Sequence, residues 1–168
     1  MLEPFASAPP HIQLHAFSAT IAVVIGPFAL FAKRRGTRHK VLGYIWVIAM
    51  LTVATTAFFI HSFAVIGPYS PIHGFAILTY WSIWTAMRAV FAGRIMVHQQ
   101  AMRSLYFNGL VIAGVANFLP GRMTNRAFFG QTPELGYLVI AIGVLLLVAY
   151  WARRSLAGPS RTKSASMA

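Results

Sequence analysis

Five apolar runs, each close to the length that crosses a bilayer, leave this chain few ways to fold. They cover residues 12–32, 41–66, 72–91, 98–119 and 135–152. A helix needs about 20 apolar residues at about 1.5 Å rise each to traverse roughly 30 Å of hydrocarbon. Backbone groups in hydrocarbon must be bonded within their own segment, so runs of this kind fold as helices. The expected class is therefore all-α: a polytopic membrane bundle of five transmembrane helices, four forming a core and the fifth peripheral. Residues 1–152 make one transmembrane domain, and residues 153–168 a basic, disordered tail. The composition agrees, with 58 % hydrophobic and 10 % charged residues, far from the soluble average.

Charge then orients the bundle. There are 14 Lys plus Arg against two acids, Glu3 and Glu134. Such a balance suits nucleic acid when it forms a patch on a folded surface. Here it comes in short clusters between apolar runs, so topology explains it and no nucleic-acid partner is expected. Lys33, Arg34, Arg35, Arg38 and Lys40 follow the first run, Arg88, Arg94 and Arg103 surround the third connection, and Arg153, Arg154, Arg161 and Lys163 follow the fifth run. Only Arg122 and Arg126 fall on the other side. Cytoplasmic loops carry the excess of Lys and Arg, which puts the N-terminus outside and the C-terminus inside a bacterial inner membrane. The opening MLEPFASAPP has no basic residue before the first run, so that run is expected to stay as a span rather than be cleaved as a signal peptide.

Several chemistries are excluded. Without cysteine there are no disulfides, iron-sulfur clusters or thiolate metal sites. No acid lies inside a run, which removes carboxylate proton relays and two-carboxylate hydrolysis. Phosphate-loop, dinucleotide and serine-nucleophile signatures are missing, as is any repeat of 20 to 50 residues.

Histidine is what remains. His39 and His98 fall at the cytoplasmic ends of the second and fourth runs, beside arginines in RRGTRHK and HQQAMRSLY. His15 and His73 fall at the outer ends of the first and third, with His61 one turn inside the second and His11 in the outer flank. Alternate helices of an antiparallel bundle can thus present one pair near each face. Bis-histidine ligation of haem b needs such facing imidazoles. Arg38, Lys40 and Arg103 within, or Arg122 and Arg126 outside, would hold the propionates. Along the first run His15, Ala19, Ala22 and Gly26 share a face, and along the fourth His98, Met102, Leu105 and Gly109 do so. The bland alternative is that interfacial histidines are amphipathic anchors and their arginines mark topology alone. Asn108 and Asn117 are expected to bond between helices. Met50, Met87, Met96 and Met102 read as gap-filling side chains, and Trp46, Tyr80, Trp81 and Trp84 as bundle packing or lipid contact.

The stretch HAFSATIAVVIGPFALFAKRRGTRHKVLGYIWV, with HQQAMRSLY beyond it, resembles the bacterial integral-membrane family known as domain of unknown function 2306. The likeness rests on an early histidine, a Gly-Pro at the far end of the first run, an Arg-Gly-x-x-His step, and a His-x-x-x-Met-x-x-x-Tyr entry to a later run. Lys40 departs from the arginine usual there. The family implies no activity, so His15, His39 and His98 carry over as marked positions. In layout alone the chain is similar to transmembrane di-haem cytochromes b, whose scheme would pair His15 with His73 and His39 with His98.

The expectation is a small membrane cytochrome b with one or two haems, at most an electron-transfer subunit, with the bilayer, a quinone or a redox protein as partners. The fifth span offers a homo-oligomer contact. Two other classes compete: a transporter or divalent-metal permease with histidine ligands, and a cofactor-free assembly subunit.

Overall fold

The computed structural model describes residues 3–32, 36–60 and 71–156. Every regular element among them is helical. In order these are α1 (Glu3–Ala6), α2 (Pro10–Phe31), α3 (Thr37–Ala57), α4 (Pro71–Phe91), α5 (Ile95–Ser104), a π-helical segment (Leu105–Val111), α6 (Ile112–Ala116), α7 (Met123–Phe129) and α8 (Leu135–Leu156). α5, the π segment and α6 follow one another without a break, so they form one rod. Three helices, Pro10–Phe31, Thr37–Ala57 and Leu135–Arg153, are long and apolar enough to cross a membrane by length and composition. α4 is equally long but gives positions to Thr79, Ser82, Thr85 and Arg88, while the rod is divided by its π turn.

Consecutive helices pack side by side, α2 on α3, α3 on α4 and α4 on α5, and the π segment returns to α2. α3 and α5 consequently face each other across a four-helix core, and α8 leans on α6 and α7 from outside. The first two helices begin earlier than expected, at Pro10 and Thr37. Proline suits the first helical turn because its missing N–H has no partner there in any case. α3 stops at Ala57, and its expected continuation over 61–66, with His61, lies outside the described residues. α8 runs on to Leu156, so residues 153–156 are helix and not tail. The remainder of the tail also lies outside the described residues.

Small residues on α2 and α4 determine how the core closes. α2 turns inward Ser18, Ala22, Gly26 and Ala29; α4 turns inward Ala76, Ile83, Ala86 and Ala89. The bulk comes from the facing rods, as Trp46 and Met50 on α3 and Met102, Leu105 and Tyr106 on α5 and the π segment. With no side chain to hold them off, donors on α3 and α5 reach the backbone of α2 and α4. Trp46 Nε1–H donates to Ala22 O over 3.0 Å, and Tyr106 O–H donates to Val23 O over 3.1 Å. The second bond has a local cause. Pro27 lies inside α2 and has no N–H to give to the carbonyl four residues back, which is that of Val23. Tyr106 supplies the missing donor, and its ring fills the space beside Gly26, where a Cβ would strike it.

Gly93, at φ 72°, closes α4 onto α5. Arg94 N–H reaches Ala89 O over 2.8 Å and Gly93 N–H reaches Val90 O over 3.1 Å, the paired bonds of a left-handed helix stop that glycine adopts readily. At the other end of the bundle Asn125, 0 % exposed, donates to Phe118 O and Pro133 O, both over 2.8 Å. This ties α7 to the start of α8, where Gly136 leaves room for the Phe118 carbonyl and the Asn125 amide. Farther along, Asn108 accepts from Trp151 Nε1 over 2.9 Å, the interhelical bond expected of it.

Candidate functional site: a facing pair of histidines

His39 is the third residue of α3 and His98 the fourth of α5, both at the basic end of the bundle. Each imidazole uses Nδ1–H to donate to a neighbouring helix. His39 Nδ1–H donates to Ala29 O over 3.0 Å, and His98 Nδ1–H donates to Ala86 O over 3.0 Å. A carbonyl can only accept, so in both rings Nδ1 carries a hydrogen, and in the neutral form Nε2 is the nitrogen with the lone pair. Ala29 lies in the last turn of α2, where carbonyls lack helical partners, so the bond also caps that helix.

The two rings approach each other from opposite sides of the core. Their centroids are 6.5 Å apart and their planes stand at 84°. Between them and α2 is a cavity of about 50 Å³ lined by Ala29, Leu30, Trp46, Gln99, Met102 and Arg103 together with the histidines. Arg103 lies over the Phe31 ring at 5.9 Å, and Arg38 is exposed one residue before His39. A neutral imidazole whose Nδ1–H is fixed by a carbonyl is oriented and made more basic at Nε2, which is how proteins prepare histidine as a metal ligand.

Spacing narrows the metal geometry. With a metal–nitrogen bond of about 2.0–2.1 Å and about 1.1 Å from nitrogen to ring centre, two imidazoles on opposite sides of one metal have centroids about 6.4 Å apart. At a tetrahedral angle the same lengths give about 5.2 Å. The observed 6.5 Å is close to the first of these lengths. Among the described residues no group of three or more His, Asp or Glu gathers to hold an ion.

The other sequence candidates are placed differently. His15 Nδ1–H donates to Thr56 Oγ1 over 2.9 Å, since Thr56 gives its own proton to Thr52 O at 2.7 Å. His73 is buried, with Nε2–H directed at Phe58 O over 3.4 Å and its ring 5.8 Å from that of Phe58. Both therefore engage α3 or its end, whereas His39 and His98 meet. His11 lies 6.5 Å from the Phe59 ring.

The carbonyl acceptors are what the sequence leaves hidden, although a repeat longer than 50 residues carries a sign of the shared construction. His15-Ala-Phe-Ser recurs as His73-Gly-Phe-Ala, and the next site histidine follows 24 residues after the first and 25 after the second. The hairpins α2–α3 and α4–α5 each send a histidine back to an alanine carbonyl of their own first helix, by the same construction.

A family model for predicted membrane proteins, DUF2306, matches residues 12–153. No curated protein and no solved structure gives a significant match. The match spans every helix of the core and most of α8, together with both histidines of the facing pair. This chain therefore belongs to the DUF2306 family of predicted membrane proteins.

Proposed function

We propose that the protein is a five-span electron-transfer protein that binds one b-type haem between His39 and His98. The observation that carries this reading is the perpendicular ring pair with centroids 6.5 Å apart and both Nδ1 positions already committed to backbone carbonyls. Haem iron would supply one-electron chemistry. The chain's own part is ligation by the two Nε2 atoms, orientation by Ala29 and Ala86, and exclusion of water by Trp46 and Met102. Arg103, in the cavity lining, would supply charge-assisted bonds for propionates, while Arg38 is exposed outside that lining. A quinone or a redox protein would exchange the electron. Reduction by dithionite of protein purified from haem-sufficient cells is expected to give b-type α and Soret bands at about one haem per chain. A well-folded preparation without haem would reject the reading.

The divalent-metal permease fares worse on geometry, because two imidazoles on one tetrahedral ion would sit closer together. Intramembrane acids, common in such pathways, are also missing from the spans.

In this reading α4 and the α5–α6 rod complete five spans in a bacterial inner membrane, with Arg38, Lys40, Arg88, Arg94, Arg103 and Arg153 facing the cytoplasm. Membrane-impermeant maleimide should label Gln131→Cys in intact spheroplasts and Arg94→Cys only after lysis. Labelling of both from one side would break the topology.

A further inference from the structure

Without resting on the haem reading, we infer that the facing histidines, with the core closed around them, form a binding site for one Cu(I) ion. Size is the first argument. The cavity beside the two imidazoles measures about 50 Å³, which admits an ion or a water or two, whereas a porphyrin is many times larger. Its walls are core packing: Ala29, Trp46 and Met102 belong to the core cluster, and Leu30 packs against it. His39, His98 and Gln99 are half-buried, so an ion reaches the imidazoles from the basic end without disturbing that packing.

The donors then select the ion. Each Nδ1–H is committed to a carbonyl, and among the described residues no hydrogen bond engages either Nε2. The Met102 thioether and the Gln99 amide share the same lining. All of these donors are neutral, and Arg103 adds a fixed positive charge beside them. Repulsion grows with the charge of the ion, so a divalent cation meets twice the penalty of a monovalent one. No group of three or more His, Asp or Glu gathers among the described residues, so Zn²⁺ lacks the four ligands it takes. Cu(I) is monovalent, accepts imidazole and thioether, and is stable with two nitrogens in line. The ring centroids, 6.5 Å apart, come within about half an ångström of what opposed nitrogens on one metal require.

The full chain, purified in detergent from haem-deficient cells, should retain one Cu(I) per chain under ascorbate against competing bicinchoninate. His39→Ala and His98→Ala should each weaken binding at least about a hundredfold, while His15→Ala leaves it unchanged. Copper absorption-edge spectra should show two nitrogens and a weaker sulfur. Met102→Leu keeps the volume of the side chain and should remove the sulfur signal. Excess Zn²⁺ should not displace the copper. Failure to retain copper, equal retention by the His39 and His98 variants, displacement by Zn²⁺, or a sulfur signal unchanged by Met102→Leu would overturn the ion site. Haem bands in protein from haem-sufficient cells test the haem reading separately, so either can fail alone.

Discussion

Replacing either His39 or His98 by alanine is expected to abolish the reduced-minus-oxidised bands, with haem content falling at least roughly tenfold. In the proposed reading, loss of one Nε2 would remove one of the two residues that hold the haem, and it opens a hole where its ring, bonded to Ala29 or Ala86, had closed the core. His15→Ala and His73→Ala should retain the bands, because those side chains engage Thr56 and Phe58. Comparing the four variants separates ligation from general damage. His15→Ala removes a half-buried interhelical bond and His73→Ala a buried ring, so each perturbs packing as the inner variants do. Equal loss of haem from all four would argue that the bundle, and not the facing pair, is what binds. Haem content and elution as a single species in detergent, measured together, decide the matter.

Gly26→Leu should produce the largest loss of stability. Helix propensity alone would favour leucine by about 1 kcal/mol. Packing opposes it, since even a Cβ at Gly26 runs into the Tyr106 ring and comes within 3.0 Å of the Trp46 indole nitrogen. Displacing these rings breaks the bonds to Val23 O and Ala22 O. Overpacking costs about 1–3 kcal/mol and each lost bond about 1 kcal/mol more, so the net change is destabilising by roughly 3 kcal/mol. Gly43→Leu is the control, because a Cβ there meets nothing within 4 Å and propensity should govern. Thermal unfolding in one detergent should lower the midpoint for Gly26→Leu and leave that of Gly43→Leu unchanged or raised. If the two behave alike, the close approach of Tyr106 to α2 is not a stabilising feature.

The helical architecture was legible because hydrocarbon imposes one rule on every backbone group, and length with apolarity expresses that rule directly. Boundaries were less so. Pro10 and Thr37 begin their helices ahead of the apolar runs, since solvated polar turns extend a helix at no hydrophobic gain. The buried face of α2 was legible in its deeper half: of the expected His15, Ala19, Ala22 and Gly26 line, Ala22 and Gly26 are buried, while His15 and Ala19 are half-buried and Ser18 and Ala29 complete the inner side. The pairing of His39 with His98 follows from the alternation of antiparallel helices, which sequence depth can express. The carbonyl partners cannot be read that way, because an acceptor on the backbone has no residue type. Only the hairpin repeat, His15-Ala-Phe and His73-Gly-Phe, hinted that both halves share one construction. Pro27 and Tyr106, 79 positions apart, are joined through a carbonyl that neither residue's identity reveals.

Electron paramagnetic resonance of the oxidised protein addresses the facing pair most directly, because the signal reports both the number of axial imidazoles and the angle between their planes. Two histidines at 84° on one ferric haem should give a low-spin spectrum of the strongly anisotropic kind produced by perpendicular rings, lost in His39→Ala and in His98→Ala. A high-spin signal, or a low-spin signal of the nearly parallel type, would mean that these two rings do not share an iron.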